Sequence, residues 1–307
     1  MNKYKIGAES SFKLLIEDIL SIALDCEKEN LDKVSYLGGV TTLDALKKNS
    51  LIFLDQYSDE ALEIINTSIE SDLLFILPEI FKNKTNKPVI LNKNPRHIYS
   101  LIVNKLFKYD THYWVQKERI SKTSSIHKET EIMSNVFVGA NTKIGKNSIV
   151  FPNTVIGPNC NIGENVIIKS NTVIGQAGFG IYKDLKGLNQ HLPHVGAVII
   201  EDNVEIGALN TVVAGTIHPT VVESYVKTDD HVHIAHNDYI SKGVQIAAHA
   251  LLSGSVFVGE NAWLGPNITV IDHVAIGKES FIGSGTNIVK EVGEGTTVVG
   301  NPGKKIR

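Results

Sequence analysis

Residues 134–175 read SNVFVGANTKIGKNSIVFPNTVIGPNCNIGENVIIKSNTVIG, and an isoleucine or valine recurs at every sixth position through this stretch. The series extends back to residue 120 without a break. Its members are Ile120, Ile126, Ile132, Val138, Ile144, Val150, Ile156, Ile162, Ile168 and Ile174. A helix has a period of about 3.6 residues and a simple strand a period of about 2, so neither produces this spacing. A six-residue repeat instead indicates a parallel β-helix.

Each six-residue repeat supplies one short strand and one corner, and three repeats complete a triangular coil of eighteen residues. We expect the aliphatic residue to point inward, together with the small residue at the fifth place, such as Thr142 or Ser148. Asparagine stands three places after the aliphatic residue in seven consecutive repeats, from Asn135 to Asn171. Asparagine and glycine tolerate the positive φ that such corners often require. Coils stacked in this way lie about 4.8 Å apart.

Two interruptions divide the repeat and mark candidate functional loops. Residues 176–199, QAGFGIYKDLKGLNQHLPHVGAVI, form a long excursion, and four extra residues are inserted between positions 212 and 222. The inward series continues at Ile200, Ile206, Val212, Val222, Thr228, Ile234, Ile240, Ile246, Leu252, Val258, Leu264, Val270, Ile276, Ile282 and Ile288. A coil that only builds a scaffold does not need such loops, and loops on rigid scaffolds are where binding and catalysis concentrate.

The first hundred residues have a different sequence pattern, without the six-residue repeat, which predicts a separate domain. Residues 12–25 read as an amphipathic helix, residues 51–54 and 73–77 as short strands, and Asn94-Pro95 as the start of another helix. We therefore expect a mainly β chain in which a small α/β domain precedes a parallel β-helix. The predicted boundaries are 1–110 for the α/β domain, 111–119 for a linker, 120–295 for the β-helix and 296–307 for a C-terminal tail.

The composition sets limits on the possible partners and on the compartment. A net charge of −3 and a pI near 6.4 give no reason to expect nucleic acid or an anionic membrane as a partner. The sequence shows neither a signal peptide nor an apolar run long enough to span a bilayer. Of the two cysteines, Cys160 occupies an inward repeat position, so a disulfide with Cys26 is not expected. The chain is expected in a reducing cytoplasm, without stable membrane insertion.

Six of the eleven histidines fall between residues 218 and 273, which raises the possibility of a metal site. A zinc site needs ligands that converge in a suitable geometry. The coil period distributes these histidines over different faces, and no cysteine joins them. The pattern therefore favours a protein without a bound metal.

Positions eighteen residues apart stack directly in a coil of this kind, which places His236, Gly254 and Asp272 in one column. An imidazole about 5 Å from the backbone of a glycine provides a general base next to an accessible N–H. That pair suits acyl transfer, because the base deprotonates the nucleophile and the N–H stabilises the oxyanion of the tetrahedral intermediate. The alternative is that His236 is a solvated corner residue.

The segment Ile234-Ala235-His236-Asn237, preceded by KTDD at 227–230, resembles the IAHN segment of UDP-3-O-acylglucosamine N-acyltransferases, enzymes of the lipid A pathway. The resemblance extends to the GFG at 178–180, to VIIEDNVEIGA at 198–208 and to the four-residue insertion, and it covers about residues 35–285. It implies that the β-helix is left-handed. It also implies a homotrimer with active sites between adjacent subunits.

The same resemblance implies roles for individual residues. His236 would be the general base, Gly254 would give the oxyanion-hole N–H, and Asp229 would orient His236. His273 matches a second functional histidine that would contact the acyl donor or the intermediate.

For the acceptor, the resemblance implies that Phe53 stacks on the nucleotide base. Gln56 and Tyr57 belong to the same base-binding segment, although Gln56 replaces the usual asparagine and Tyr57 is out of register with the usual tyrosine. Phe179 and Gly180 would line the sugar site. The IAHN residue Asn237 is a further substrate-binding candidate.

Two departures from the family bear on the substrate. Residues 212–215 read VVAG where the family carries IDRG, and the chain ends in VVGNPGKKIR. That ending resembles sugar acetyltransferases of the hexapeptide class that use acyl-CoA. Asn301, Pro302 and Lys304 would then lie near the coenzyme A moiety. The alternative for this tail is a simple polar cap that closes the β-helix.

The expected function is an N-acyltransferase that moves an acyl group from acyl-CoA to the amine of a UDP- or dTDP-linked amino sugar. Such a reaction belongs to cell-surface polysaccharide biosynthesis and needs no permanently bound cofactor. One alternative is the lipid A reaction itself, with a 3-hydroxyacyl carrier protein as donor. Another is a non-catalytic β-helix scaffold or binding protein, against which the excursion and the IAHN segment both argue.

Overall fold

The computed structural model describes residues 7–109 and 114–300, and the chain divides into two compact units. The N-terminal unit comprises Met1–Val115 together with Phe179–Val195. The coil unit comprises Gln116–Gly178 and Gly196–Arg307. Most of the excursion therefore groups with the N-terminal unit and not with the coils from which it departs.

The N-terminal unit is built on one six-stranded sheet. Its strands are β1 (Ala8–Leu15), β2 (Glu27–Glu29), β3 (Tyr36–Val40), β4 (Ser50–Phe53), β5 (Leu74–Leu77) and β6 (Val89–Leu91). Their order is β1-β3-β4-β5-β6-β2, with β3 to β6 parallel and the two edge strands antiparallel to their neighbours. Strands β4 and β5 are nearly continuous apolar runs because most of their residues are buried on both faces of the sheet.

Among the described residues of this unit, three α-helices accompany the sheet. They are α1 (Ile16–Ile22), α2 (Asp59–Thr67) and α3 (Pro95–Phe107), and short 3-10 turns lie at Leu31–Lys33, Leu43–Ala45 and Glu79–Phe81. Helix α3 begins as the sequence predicts, with proline at its first position and the Asn94 side chain accepting a hydrogen bond from the His97 N–H (3.2 Å). In the described part of the chain, no helix combines the length and the apolar character needed to cross a bilayer.

The helix predicted over residues 12–25 is wrong in its first part. Residues 12–15 belong to strand β1, where exposure alternates along the chain with a period of two. Strand β1 pairs with β3 in an antiparallel register, and this pairing overrides the helical pattern of the local sequence. The helix that remains, α1, has only seven residues.

The coil unit is a parallel β-helix with three faces, as the six-residue period predicts. The first face holds Ser125–Ile126, Lys143–Ile144, Asn161–Ile162, Val198–Ile200, Thr220–Val222, Tyr239–Ile240, Phe257–Val258 and Ala275–Ile276. The second holds Glu131–Ile132, Ile149–Val150, Ile167–Ile168, Glu205–Ile206, Lys227–Thr228, Gln245–Ile246, Trp263–Leu264, Phe281–Ile282 and Thr297–Val298. The third holds Phe137–Val138, Val155–Ile156, Val173–Ile174, Thr211–Val212, His233–Ile234, Leu251–Leu252, Thr269–Val270 and Asn287–Ile288.

Strand pairing follows the eighteen-residue coil and changes only at the interruptions. Ile144 pairs with Ile162, eighteen residues on, whereas Ile162 pairs with Ile200 across the excursion. Because Val198–Ile200 is already a strand of the first face, the excursion ends before the predicted residue 199. The excursion itself contains an antiparallel hairpin of Ile181–Lys183 and Asn189–His191.

The corners adopt the conformation that asparagine was expected to supply. All seven predicted corner asparagines have φ between 55° and 61°. Their side chains form ladders along the coils: Asn141 Nδ2 donates to Asn159 Oδ1 (3.2 Å), and Asn147 Nδ2 donates to Asn165 Oδ1 (3.3 Å). The repeated asparagine thus provides both the left-handed backbone conformation and a polar contact to the next coil.

The interior of the coil unit combines aliphatic stacking with buried hydroxyl groups. The aliphatic positions from Val138 to Ile288 form one buried cluster. At the fifth place, Thr142 donates to the Gly157 carbonyl (2.6 Å) and accepts from the Cys160 N–H (3.1 Å). Ser148 makes the same two bonds, fifteen and eighteen residues further along. Each coil is therefore tied to the next from the inside, by bonds that contribute about 1 kcal/mol each.

Cys160 lies in this interior, and we expect its thiol to react only after unfolding. It is 1% exposed, and burial raises its pKa to about 12 from an ordinary 9.0. At pH 8 the folded protein therefore holds about a thousandfold less reactive thiolate than the unfolded chain. Because the pKa of Cys160 is higher in the folded state, the contribution of its buried neutral thiol to the free energy of unfolding is complete below pH 9. This contribution declines as the pH rises towards 12.

Iodoacetamide labelling followed by mass spectrometry checks this expectation, with and without guanidinium chloride. Cys26, a free cysteine at the limit of burial, is the internal comparison. Labelling of native Cys160 at the rate of the unfolded chain would contradict the packing described above.

Candidate active site

The corner that carries His236 lies directly beside the corner that carries Gly254. Strand His233–Ile234 pairs with Leu251–Leu252, and Tyr239–Ile240 pairs with Phe257–Val258. The connecting corners, residues 235–238 and 253–256, are therefore adjacent. The eighteen-residue spacing predicts this neighbourhood from the sequence.

The His236 ring packs against the backbone of Gly254. A Cβ built on Gly254 would lie 2.4 Å from Cε1, 2.7 Å from Nε2 and 2.9 Å from Nδ1 of His236. Any side chain at position 254 would therefore occupy the space of the imidazole. Glycine is needed here for close approach and not for a positive φ.

Backbone hydrogen bonds continue the column on both sides of Gly254. The Ser255 N–H donates to the His236 carbonyl (2.9 Å), and the His273 N–H donates to the Gly254 carbonyl (3.0 Å). Among residues 7–109 and 114–300, no group accepts a hydrogen bond from the Gly254 N–H. This donor belongs to the glycine on which the imidazole packs, so it is a candidate oxyanion donor.

Asn237 orients the His236 ring. Its Oδ1 lies 3.1 Å from His236 Nδ1 and accepts from both the N–H and the hydroxyl of Thr216 (3.3 and 3.0 Å). Since Oδ1 only accepts, Nδ1 carries the proton, and Nε2 keeps its lone pair for a substrate proton. Asn237 Nδ2 donates to the His218 carbonyl (3.3 Å). Residues of the four-residue insertion thus anchor Asn237. The repeat spacing predicts where the insertion lies in the chain, but not that it contacts Asn237.

For Asp229 and His273, the contacts that the structure shows among its described residues do not test the predicted role. The Asp229 carboxylate accepts from the N–H of Asp230 (2.8 Å), and the hydrogen bond described for the His236 ring goes to Asn237. The orienting role of Asp229 stays a prediction. His273 is an exposed corner residue with φ 60°, and its role toward the acyl donor also stays a prediction.

Two other ionisable groups lie in or next to the same corner. Burial, followed by the charge of His236, lowers the pKa of His233. Burial raises the pKa of Asp238 well above its usual range, against two backbone hydrogen bonds that lower it. Neither residue is among the sequence-predicted site residues.

In the N-terminal unit, the predicted base-binding residues lie at the end of strand β4 and directly after it. Phe53 is half-buried and packs on Tyr99 of α3, with ring centroids 4.2 Å apart. Tyr57 packs on Phe81 (4.9 Å). Gln56 is exposed between them. Aromatic rings and an amide at one edge of the sheet are compatible with a planar base, and this role stays a prediction.

Polar contacts connect the same region of the N-terminal unit to the excursion. Arg96 forms an ion pair with Asp55. Asn94 Nδ2 donates to the Lys183 carbonyl in the excursion hairpin (2.7 Å). The start of α3 is therefore fixed on one side by the segment after β4 and on the other by the hairpin.

The excursion residues predicted for the sugar site have contrasting environments. Phe179 is 89% exposed, so its ring is available to a ligand. Gly180 lies against His194, because a Cβ at position 180 would be 2.6 Å from His194 Cε1.

The remaining predictions concern the acyl donor and metals. Asn301, Pro302 and Lys304 lie outside the described residues. Within the ranges that are described, no three histidine, cysteine, aspartate or glutamate side chains are arranged to hold a metal ion.

Comparison with known proteins adds to this geometry. Residues 141–176 match the family model described as bacterial transferase hexapeptide (six repeats). The UDP-3-O-acylglucosamine N-acyltransferase of Methylobacterium sp. (strain 4-46) is 40% identical over 136 residues, which is 44% of this chain and 38% of that protein. The enzyme of the same name from Methylorubrum extorquens (strain PA1) is 38% identical over 134 residues, again 44% and 38%.

A solved structure agrees on the fold. The crystal structure of a UDP-N-acetylglucosamine acyltransferase aligns with a TM-score of 0.54 at 22% identity, over 61% of this chain and 70% of that one. The chain thus carries hexapeptide transferase repeats and resembles UDP-3-O-acylglucosamine N-acyltransferases. The sequence matches span less than two fifths of those relatives.

Proposed function

We propose that this chain is an N-acyltransferase that acylates the amine of a nucleotide-linked amino sugar with an acyl thioester. The observation that carries the proposal is the His236 ring packed on Gly254, with a base nitrogen next to a backbone N–H that has no acceptor among the described residues. The names of the relatives support the same reaction class.

The reaction follows from the geometry of this corner. The amine nitrogen attacks the thioester carbonyl while His236 Nε2 takes a proton from it. The Gly254 N–H donates to the oxyanion of the tetrahedral intermediate. As the intermediate collapses, the C–S bond breaks and the leaving thiolate takes the proton back from the imidazolium. The products are an amide and a thiol, and no covalent enzyme intermediate forms.

The other site residues have supporting roles in this proposal. Phe53, Gln56 and Tyr57 hold the nucleotide base, and Phe179 and Gly180 hold the sugar. His273 and, beyond the described residues, the C-terminal tail contact the donor. We also expect a homotrimer in the cytoplasm, where acyl thioesters are supplied.

For the acceptor, the comparisons favour UDP-3-O-acylglucosamine, because the relatives carry that substrate in their names. They therefore support the lipid A type of reaction over an acyl-CoA-dependent acylation of another amino sugar. Val213 and Ala214 take the places of the aspartate and the arginine in the IDRG segment of the family that this chain resembles, and both are buried apolar residues here. We expect this change to alter acceptor contacts and not the base.

A crossed donor and acceptor assay tests the proposal. The full-length chain is incubated with acetyl-CoA or a 3-hydroxyacyl carrier protein, and with UDP-3-O-acylglucosamine or a UDP- or dTDP-linked amino sugar. We expect thiol release only when an amine is present, and an amide product whose mass is increased by one acyl group. Thiol release that is independent of the amine, or no product in any combination, would contradict the proposal.

A further inference from the structure

A carboxyl group is buried inside the β-helix directly at the candidate active-site corner. Asp238 occupies the fifth place of its repeat and is 0% exposed. Every other fifth-place residue from Thr142 to Thr286 is uncharged. An ionisable side chain in this interior is costly, since burial disfavours its charged form.

The hydrogen bonds of Asp238 differ from those of the hydroxyl residues at the same place. Thr142 connects one coil to the next by accepting from the N–H eighteen residues on and donating to the carbonyl fifteen residues on. Asp238 Oδ1 also accepts from the N–H eighteen residues on, that of Val256 (2.8 Å). Its Oδ2 instead accepts from the Ala235 N–H within its own corner (2.9 Å).

The two donors lie on either side of the proposed chemistry. Ala235 immediately precedes His236, and Val256 lies two residues after Gly254. One carboxyl group therefore fixes both the turn that carries the imidazole and the corner against which the imidazole packs. A hydroxyl cannot replace it, because a hydroxyl that accepts from Val256 has no second oxygen for the Ala235 N–H.

We propose that Asp238 is a positioning residue that holds the His236 ring in contact with Gly254. This proposal rests on the proposed function for its effect on catalysis. Its structural part stands on the two hydrogen bonds alone, one within the corner of His236 and one to the corner of Gly254. An apolar side chain of similar volume at position 238 would fill the same space without making either bond.

Three substitutions separate the contributions of the two bonds. Asp238→Val removes both bonds. Asp238→Thr removes the bond to Ala235 but introduces a hydroxyl that can accept from the Val256 N–H, as the Thr142 hydroxyl accepts from the Cys160 N–H. Asp238→Asn keeps the size but sets an NH₂ group against one of the two N–H donors. The matched control is Thr142→Val, which removes the interior bonds at the same column of corners, four coils earlier.

We expect Asp238→Val to lower kcat by about tenfold to hundredfold with KM within threefold of wild type, because a misplaced base slows chemistry without weakening binding. Asp238→Thr should recover part of this loss. Thr142→Val should leave kcat within about twofold of wild type, although it also removes a buried hydroxyl. An equal fall in kcat for Thr142→Val and Asp238→Val would show a general effect on the fold and overturn the proposal.

Hydrogen exchange provides a readout that needs no substrate. In Asp238→Val, the Ala235 and Val256 amide protons should both exchange at least about tenfold faster, and the His236 ring resonances should shift. If the valine variant does not fold, one of these two amide protons should exchange at least about tenfold faster in Asp238→Asn. If both amides exchange at the wild-type rate and the His236 ring signals are unchanged, the proposal is wrong whatever the protein acylates. An inactive wild-type protein would instead contradict the proposed function alone.

Discussion

Replacing His236 with alanine is expected to lower kcat for amide formation by about 10²–10⁴-fold, the usual contribution of a general base. The ring is the group packed on Gly254, and its Nε2 carries the lone pair once Asn237 holds the Nδ1 proton. KM for both substrates should change little, since the alanine variant removes a proton acceptor and leaves the coil intact. Thiol release and product mass measured in parallel give the rate.

His127→Ala is the matched control, because His127 is an exposed histidine of an early coil and should have no effect. A loss of less than about tenfold in His236→Ala would indicate that the amine binds already neutral and that His236 orients it. Unchanged turnover would remove His236 from the mechanism altogether.

Replacing Gly254 with alanine is expected to lower kcat by about 10²-fold or more, with little loss of thermal stability. The new Cβ would lie within 2.4–2.9 Å of three His236 ring atoms, so the ring must rotate away. A displacement of about 1 Å at the reacting groups is sufficient for an effect of this size. The backbone at position 254 does not have a positive φ, so alanine should introduce no backbone strain, and the steric conflict falls on the His236 ring.

Gly38→Ala is a suitable control for this substitution, since a Cβ at position 38 would meet one ring carbon of Tyr36 at an ordinary 3.8 Å. A crystal structure of the Gly254→Ala variant would show the displaced imidazole directly. Activity within threefold of wild type would mean that the contact between the ring and the glycine is not needed for catalysis.

The coil architecture was predictable because one repeated position determines the direction of every side chain. An isoleucine at each sixth place must be inside, and asparagine three places later must be at a corner, so the neighbours of His236 follow by counting. The seven corner asparagines with φ near 60° confirm this counting. A periodic sequence therefore predicts contacts between residues that are eighteen positions apart. An aperiodic sequence does not allow such a prediction.

The contacts that the sequence did not predict are those outside the period. Asn237 meets Thr216 because the four-residue insertion folds back on the next coil, and spacing gives no conformation for an insertion. Residues 12–15 form a strand because β3 pairs with them, which no local pattern records. The aspartate at position 238 was visible in the sequence, but its two backbone partners depend on the shape of the corner.

The fixed register of the coils also restricts how this chain can change in length. Removing one residue from a strand would turn every later side chain of that coil from the inside to the outside. Later residues keep both their direction and their face only when residues are gained or lost as complete eighteen-residue coils, or as loops that leave and re-enter at a corner. Both interruptions of the repeat are of the second kind, since pairing resumes in register after each. Natural and engineered insertions in this chain should therefore be concentrated at corners, where a new specificity loop can be added while the base and the glycine remain adjacent.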